Sequence, residues 1–247
     1  APDAGGLWWF SWPFPGLTGA FRDAGGAEGR RLWGLRIRRT AAGQPRVGRR
    51  RVGPVKTLVT GGAGYIGSVC VEQLLDAGHD VTVFDNLSEG HRSAVDPRAR
   101  FVEGCLSDPE EVVVALNGSG AEAVLHFAAS ALVGESMKDP GKYFRNNVCS
   151  GLNLLEACVE AGVKKFVFSS TCATFGVPDR VPMDETVPQR PINPYGESKL
   201  MFERQLEWYR RIHGLDFVAF RYFNAAGASP RFGEHHRIES HLIPNIL

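Results

Sequence analysis

The most constraining feature of this sequence is a glycine-rich turn between an apolar run and a helical pattern. The stretch VTGGAGYIGS, residues 59–68, contains Gly61-x-x-Gly64-x-x-Gly67 and also Gly62-x-Gly64-x-x-Gly67. Glycines allow a tight turn and let the backbone approach a ligand, so that a pyrophosphate can sit at the N-terminus of the following helix. The stretch therefore predicts a strand–turn–helix unit that binds a dinucleotide. A turn without a ligand is the alternative for the motif taken alone.

An acidic residue after the second predicted strand supports the dinucleotide interpretation. Asp85 ends VTVFD, 18 residues after Gly67. At this spacing a carboxylate can accept hydrogen bonds from the hydroxyls of an adenine ribose. Because the same carboxylate would repel a 2′-phosphate, the expected cofactor is NAD and not NADP.

From Val55 onward, strand patterns alternate with helical patterns. Strands are predicted at 55–61, 80–85, 100–104, 123–129, 164–170 and 216–224, and helices at 65–77, 108–116, 139–161 and 194–213. This alternation predicts the α/β class, with a doubly wound parallel-sheet Rossmann fold whose helices cover both faces. Such sheets bind ligands at the carboxyl ends of their strands, where the polar motifs of this chain fall.

The first 54 residues differ from the rest in composition. They hold ten arginines and no lysine against three acidic residues, whereas the whole chain has a net charge of +1. They are rich in Gly, Pro and Trp and show no sustained helical or strand period. We expect residues 1–54 to be a basic extension without a role in the enzyme, disordered or arising from an upstream start site. Nucleic-acid binding, membrane-surface binding and a transit peptide are the alternatives.

Cysteine usage and hydropathy bear on location and partners. The five cysteines are spread along the chain without a CxxC pair, which argues against a disulfide framework or a zinc site and favours a reducing cytoplasm. No window holds the roughly 18 uninterrupted apolar residues that a membrane-spanning helix requires. The expectation is a cytoplasmic protein without a metal, nucleic-acid or membrane partner.

The stretch NPYGESK, residues 193–199, places a tyrosine and a lysine on one face of a predicted helix. Tyr195 and Lys199 are four residues apart, so their side chains are neighbours. A tyrosine with a pKa of about 10 is a poor base at neutral pH, but an ammonium and a bound oxidised nicotinamide would stabilise its phenolate. The pair is predicted to transfer a proton, with Thr171 hydrogen-bonded at the reacting oxygen and Ser170 left open between packing and contact. A surface helix is the alternative for YxxxK alone.

Together these motifs resemble the extended short-chain dehydrogenase/reductase superfamily and, within it, the UDP-glucose (UDP-galactose) 4-epimerase family. The matching stretches cover residues 55–247 almost continuously: VTGGAGYIGS, FDNLSEGHRSAV, LHFAASALVGES, FRNNVCSGLNLLEA, FSSTCATFG, PINPYGESKLMFE, RYFNAAGASP and ESHLIP. The resemblance implies an isomerase that removes the proton of the sugar 4′-hydroxyl while C4 gives a hydride to NAD. The 4-keto sugar then turns over and takes the hydride back on its opposite face, which converts UDP-galactose to UDP-glucose.

The resemblance also assigns roles to individual positions. It implies Tyr195 as the catalytic base, Lys199 as its activator and Thr171 as the third member of the group. The NAD-contacting positions that it implies are Gly61, Gly64, Tyr65, Ile66, Gly67, Asp85, Asn86, Leu106, Phe127, Ala128, Ala129, Asn146, Lys199 and Phe223. The implied UDP-sugar positions are Thr171, Tyr195, Asn224, His241 and Leu242.

The residues after Thr171 separate the epimerases from sister enzymes. Nucleotide-sugar 4,6-dehydratases carry Asp-Glu there as the acid and base that eliminate water. This chain has Cys172 and Ala173, which argues against a dehydratase. A UDP-pentose (xylose or arabinose) or UDP-N-acetylhexosamine 4-epimerase stays open. An inactive cofactor-binding fragment is a further alternative, although the intact Tyr195, Lys199 and Thr171 argue against it.

The resemblance further implies a domain division and an assembly. Residues 55–224 are expected to form the NAD-binding Rossmann domain, and residues 225–247 the start of a truncated UDP-sugar-binding domain, so that the substrate half is incomplete. A homodimer through the helices at 139–161 and 194–213 is also implied. Where many epimerases have EGD after the third strand, this chain has EGC. Cys105 is therefore expected to cost one hydrogen bond to adenine, about 0.5–1.5 kcal/mol.

Overall fold

The chain divides into two units, Ala1–Gly53 and Pro54–Leu247. One short hairpin of the N-terminal unit is described. The computed structural model describes residues 53–236 and Ile246, together with the backbone of residues 36–39 and 45–48. Strand β1 (Arg36–Arg39) pairs antiparallel with β2 (Pro45–Gly48). The sequence pattern did not predict this hairpin, because strands of four residues are too short to show a period.

The larger unit contains a six-stranded parallel sheet. Its strands are β3 (Lys56–Thr60), β4 (Asp80–Asp85), β5 (Arg100–Glu103), β6 (Ala123–His126), β7 (Lys165–Thr171) and β8 (Asp216–Tyr222). The spatial order is β5-β4-β3-β6-β7-β8, with every neighbouring pair parallel. The strand order reverses between β3 and β6, and ligands bind such sheets at the carboxyl ends beside this reversal.

Six α-helices lie in the described part of this unit: α1 (Tyr65–Asp76), α2 (Pro109–Ser119), α3 (Val133–Ser136), α4 (Pro140–Tyr143), α5 (Ser150–Glu160) and α6 (Pro194–His213). Short 3₁₀ turns occupy Arg92–Ala94 and Cys172–Phe175. The helix predicted at 139–161 is a continuous helical path but widens into a π-helical segment at Phe144–Cys149. Within the described residues, no helix is both long and apolar enough to cross a membrane.

Two apolar cores lie on opposite faces of the sheet, which confirms the doubly wound architecture. Adjacent residues Leu58 and Val59 of β3 belong to different cores, because successive side chains of a strand point to opposite faces. One core packs the sheet against α1 and contains Val59, Val71, Val81, Val83 and Val95. The other packs it against α2, α5 and α6 and includes Leu58, Leu116, Leu154, Phe166, Phe168 and Phe202.

The strand predicted at 123–129 ends earlier, at His126. Phe127 and Ala128 both donate their backbone N–H groups to the carbonyl oxygen of Thr60, at 2.9 and 3.2 Å. This shared acceptor turns the chain away from the sheet and across the end of β3. Phe127 and Ala129, just after β6, line a cleft at this end of the sheet.

Candidate active site

The turn after β3 brings three backbone segments too close together for side chains. Gly61 has φ +74°, and a Cβ on it would collide with the backbone of Phe127 and Ala128. A Cβ on Gly67 would overlap the carbonyl oxygen of Gly61. The glycines are therefore required both by conformation and by close packing. They form a cradle, the turn from Gly61 to Gly67, at the carboxyl end of β3.

The N-terminus of α1 points its backbone N–H groups into this cradle. Gly64 is the N-cap residue, no side chain caps the helix, and the first turn contains no acidic residue. Uncapped N–H groups and the helix dipole together make an anion site. A cleft of about 650 Å³ opens here. Its lining contains these predicted cofactor residues: Gly61, Gly64, Tyr65, Ile66, Gly67, Phe127 and Ala129.

Asp85, at the end of β4, supports the cradle through hydrogen bonds from the backbone. Its Oδ2 accepts a hydrogen bond from the N–H of Ala63 at 3.0 Å, and its Oδ1 accepts one from Leu87 at 2.8 Å. The side chain is buried. A carboxylate offers about four lone-pair positions, so both oxygens can still accept hydrogen bonds from a ribose. The spacing argument did not predict this second, structural role.

At the carboxyl ends of β4 and β5, the chain continues into Asn86 after β4 and into Cys105 and Leu106 after β5. Asn86 Nδ2 donates to Cys105 Sγ at 3.5 Å, and Ser107 Oγ lies 3.0 Å from that sulfur. Although desolvation raises it, hydrogen bonds with Ser107 and Asn86 bring the pKa of Cys105 below its ordinary value. Leu106 packs its side chain into the core.

The π-helical segment carries two asparagines that organise the neighbouring loop. Asn147 is buried; its Oδ1 accepts from the N–H of Ser130 at 2.8 Å, and its Nδ2 donates to Ser130 O and Ser198 Oγ, both at 3.0 Å. It thereby joins the loop after β6 to α6. Asn146 Nδ2 donates to Ser130 Oγ at 3.2 Å. Asn146 was among the predicted cofactor contacts and Asn147 was not, although the two asparagines stand side by side in the helical pattern.

Tyr195 lies in the first turn of α6, beside the end of β7. Asn193 caps the helix by accepting from the N–H of Gly196 at 2.8 Å, and Pro194 occupies the first helical position. Desolvation raises the pKa of Tyr195, and a hydrogen bond with Thr171 partly offsets this. Tyr195 thus contacts Thr171, and additional positive charge nearby would be needed for it to become a base near neutral pH.

Lys199 lies one turn further along α6 and is buried. Its Nζ donates to the carbonyl oxygen of Ser169 at 2.8 Å and is 6.0 Å from the centroid of the Tyr195 ring. Desolvation lowers the pKa of Lys199 to about 7, and the charge of Glu203 opposes this effect. The ammonium is therefore held at the cleft end of β7 and titrates near neutral pH.

Two further aromatic side chains surround this pair and were not predicted. The Tyr143 ring meets the Tyr195 ring edge-on, 6.3 Å between centroids, while its hydroxyl donates to Glu135 Oε2 at 2.8 Å. His126 is buried and shares a 2.7 Å hydrogen bond with Thr60 Oγ1. Desolvation and the Lys199 charge lower its pKa to about 3. His126 therefore stays a neutral imidazole beneath the site.

The segment after β8 runs back to the cradle. Phe223 and Asn224 are exposed just beyond the strand, whereas residues 227–236, here called the strap, contact the α1 side of the cleft. The hydroxyl of Tyr65 donates to Gly227 O at 2.6 Å. Arg231 donates to Glu72 Oε1 and Asp96 Oδ2, each at 2.7 Å.

Not every predicted site residue lies on the cleft surface. Of the cofactor positions, these do not form part of its lining: Asp85, Asn86, Leu106, Ala128, Asn146, Lys199 and Phe223. They lie at the strand ends or in the layer behind the lining, and Thr171, Tyr195 and Asn224 are not part of the lining either. His241 and Leu242, predicted to contact the sugar, lie outside the described residues.

Comparisons with known proteins agree with this geometry. The chain is 54% identical over 191 residues to the UDP-glucose 4-epimerase of Lacticaseibacillus casei, covering 76% of this chain and 58% of that protein. The crystal structure of UDP-glucose 4-epimerase from Brucella ovis in complex with NAD matches with a TM-score of 0.75 and 49% identity, covering 76% and 58%. A UDP-glucose 4-epimerase with UDP-glucose from Thermotoga maritima matches with a TM-score of 0.66 and 37% identity, covering 72% and 59%.

These matches fix the family and the extent of the likeness. The chain spans less than three fifths of the length of these relatives, 58% for the first. The profile of the NAD dependent epimerase/dehydratase family matches residues 57–247, which include the cradle, β7 and α6. The chain therefore belongs to the NAD dependent epimerase/dehydratase family.

Proposed function

We propose that this chain acts in the NAD-dependent 4-epimerisation of a UDP-hexose, interconverting UDP-galactose and UDP-glucose through a transient 4-keto sugar. The observation that carries the proposal is the meeting of Tyr195, Lys199 and Thr171 at the carboxyl end of β7, next to a glycine cradle. The relatives described above bear the name of this isomerase. The cradle after β3 would thus serve hydride transfer, and the end of β7 proton transfer.

The cradle fits NAD on its own geometry. The backbone contacts of Gly61 and Gly67 leave no room for a Cβ, and the uncapped N-terminus of α1 favours a pyrophosphate. Asp85 would receive the adenine ribose and reject a 2′-phosphate. NAD would supply the hydride acceptor and, when oxidised, a positive charge in the cleft.

The proton-transfer steps belong to the residues around β7. Tyr195 would accept the proton of the sugar 4′-hydroxyl, with Thr171 hydrogen-bonded to the reacting oxygen. In its ammonium form Lys199, whose Nζ is 6.0 Å from the centroid of the Tyr195 ring, would oppose the rise in the pKa of Tyr195 that burial causes. Because reversible oxidation needs no further acid, Cys172 and Ala173 in the dehydratase positions are compatible with this chemistry.

The substrate, assembly and location are part of the same proposal. A UDP-sugar is the proposed ligand of the cleft, with Asn224, His241 and Leu242 as contacts beyond Thr171 and Tyr195. Residues 55–224 would be the cofactor domain and residues 225–247 the start of the sugar domain. The five cysteines are free, which supports the cytoplasm as the location.

A homodimer through the helices at 139–161 and 194–213 is supported by exposed apolar side chains on α6. Trp208 and Ile212, four residues apart on one helix face, are 58% and 67% exposed. Large apolar groups at this spacing are typical of a helix surface that packs against another protein. Sedimentation of the protein with and without the paired change Trp208→Ser and Ile212→Ser tests the dimer: separation into monomers supports it.

The activity is tested by mixing the purified protein and NAD with UDP-galactose and following UDP-glucose. UDP-N-acetylgalactosamine and a UDP-pentose serve as competing substrates, and Lys199→Met serves as the matched inactive control. Conversion of UDP-galactose without net consumption of NAD supports the proposal. Loss of water from the sugar would indicate a dehydratase instead, and NAD binding without any sugar conversion would leave a cofactor-binding protein.

A further inference from the structure

Glu203 lies on α6 one helical turn beyond Lys199 and two beyond Tyr195. Residues four apart on a helix share a face, so the phenol, the ammonium and this carboxylate form one row. The Glu203 side chain is only 8% exposed. A carboxylate so deeply buried is costly unless it is paired and hydrogen-bonded.

The partners of this carboxylate come from three different parts of the fold. Oε1 accepts from Ser170 Oγ at 2.5 Å and from Arg221 Nε at 3.1 Å. Oε2 accepts from Gln189 Nε2 at 3.0 Å and from Arg221 Nη2 at 2.7 Å. Both oxygens are therefore held in place by β7, by β8 and by the loop before α6.

The same contacts hold the end of β7. Ser170 stands between Ser169, whose carbonyl accepts from Lys199, and Thr171, which contacts Tyr195. In the sheet, Ser170 pairs in register with Arg221 of β8. A shift of the Glu203 carboxylate would therefore move the strand residues on both sides of Ser170, and both are contacts of the proton-transfer pair.

We propose that Glu203 is a positioning residue for proton transfer, whose carboxylate favours the ammonium form of Lys199 and fixes the end of β7 between Lys199 and Tyr195. The inference rests on the proposed function of the Tyr195–Lys199 pair. It explains why an ion pair that touches no part of the cleft lining is buried beneath the site. It also gives a role to Ser170, for which packing and contact were both left open: its hydroxyl donates a hydrogen bond to the Glu203 carboxylate.

The protonation state of Lys199 depends on every titratable group that faces it. From α6 these are Tyr195 and Glu203, and from β6 it is His126, which burial keeps neutral with a pKa of about 3. Arg221 of β8 reaches the group only through Glu203. Glu203 is thus the carboxylate of this set, and its charge raises the pKa of Lys199 against the desolvation that lowers it.

The Tyr195 side of the pair has two further neighbours that titrate. Cys172, directly after β7, raises the pKa of Tyr195 if it ionises, but burial raises the pKa of the Cys172 thiol itself. The hydroxyl of Tyr143, bound to Glu135, also has its pKa raised by burial. Both groups stay neutral near pH 7, so they do not offset the Glu203 charge.

The test compares two variants that break the same ion pair from opposite ends. The pKa of Lys199 is measured by NMR of isotope-labelled lysine, with Lys199→Met identifying the resonance. Glu203→Gln removes the negative charge and should lower this pKa by about one unit. Arg221→Gln removes the positive charge, leaves Glu203 held by Ser170 and Gln189, and should raise it by a similar amount.

If Glu203 has a purely structural role, both variants should shift the Lys199 pKa in the same direction, and that result would overturn the inference. So would a Lys199 pKa that moves in neither variant. If Glu203→Gln does not fold, Arg221→Gln decides alone, because a pKa that fails to rise contradicts the charge argument. These measurements need neither sugar nor NAD. The Lys199 pKa could shift in opposite directions in the two variants while the protein shows no epimerase activity. That result would contradict the proposed function but establish the electrostatic coupling of Glu203 to Lys199.

Discussion

The two sides of the cleft are built in different ways. The cradle side consists of backbone, with Gly61 and Gly67 in contacts that exclude a Cβ and an uncapped helix end. On the other side Ser169 of β7 lines the cleft, and the β7–α6 layer behind it is organised by side chains, such as Lys199 on Ser169 O and Asn147 on Ser198. A site built of backbone groups recognises the shape and charge of its ligand. A site built of side chains also determines the protonation states of its own titratable residues. Cofactor binding and proton transfer should therefore be separable by mutation.

The largest effect is expected on the side-chain half of the cleft. Tyr195→Phe should lower epimerase turnover by about a thousandfold, because the ring stays in place while the proton acceptor is lost. NAD affinity should stay within about twofold of the original, since the change touches no cradle residue. Turnover and NAD binding are measured on the same preparation.

Tyr209→Phe is the matched control for this change, since Tyr209 lies on the same helix and packs against His213. It should leave turnover unaltered. If Tyr195→Phe retained normal turnover, Tyr195 would not be the base. If it lost NAD together with activity, the two sides of the cleft would not be independent.

The reverse result is expected for the cradle. Gly67→Ala forces a Cβ against the Gly61 carbonyl and should weaken NAD binding by about ten- to a hundredfold, about 1.4–2.7 kcal/mol. The Lys199 pKa should not change, because the contact is remote from α6. Calorimetry of NAD binding and the lysine titration measure the two quantities.

Gly134→Ala is the control for the cradle change, since a Cβ on Gly134 meets no atom within 4 Å. NAD affinity should be preserved in it. Unweakened NAD binding in Gly67→Ala would mean that α1 can move away from the turn, and a shift of the Lys199 pKa would show that the two sides are coupled.

The same contrast decides what could be predicted from the sequence. The cradle glycines, Asp85 and the strand–helix alternation were predictable because they depend on neighbours along the chain. The Tyr195–Lys199 spacing was predictable for the same reason. Asn147, by contrast, acts through Ser130 and Ser198, and Glu203 through Ser170, Gln189 and Arg221. A single sequence does not state which distant residues meet.

Two differences in secondary structure have the same origin. The π-helical widening within 144–149 accompanies the tertiary contacts of Asn147, and no local pattern requires it. The early end of β6 depends on the Thr60 carbonyl of another strand. Helical and strand periods predicted the six parallel strands and the longer helices, whereas the short elements β1, β2 and α3 were not predicted and the interruptions depend on the packing around the site.

The strap lies on the cradle side of the cleft, which is built of backbone groups, but the strap itself is held there by side chains. Arg231→Ala removes the contacts with Glu72 and Asp96 and should speed NAD release by about tenfold, since a loosened strap no longer covers one rim of the cleft. Displacement of bound NAD by excess NADH, followed by fluorescence, gives the rate.

Arg98→Ala is the control, because Arg98 also pairs with Asp96 but lies outside the strap. A hydrogen bond with Arg98 is the main reason why the pKa of Asp96 is lowered to about 2. This control should lose stability without faster NAD release. Equal release rates in both variants would mean that the strap does not restrain the cofactor.

The smallest effect concerns the adenine end of the cradle side, where Cys105 follows β5. Cys105→Asp should strengthen NAD binding by about threefold, through one added hydrogen bond to the adenine amino group. The gain is kept small by Glu111, whose carboxylate accepts from the N–H of residue 105 at 2.7 Å and repels a second negative charge. Cys105→Ala, which adds no acceptor, should not show the gain. If Cys105→Asp bound NAD no more tightly than Cys105→Ala, adenine would not reach the end of β5, and this side of the cleft would recognise the cofactor through backbone and Asp85 alone.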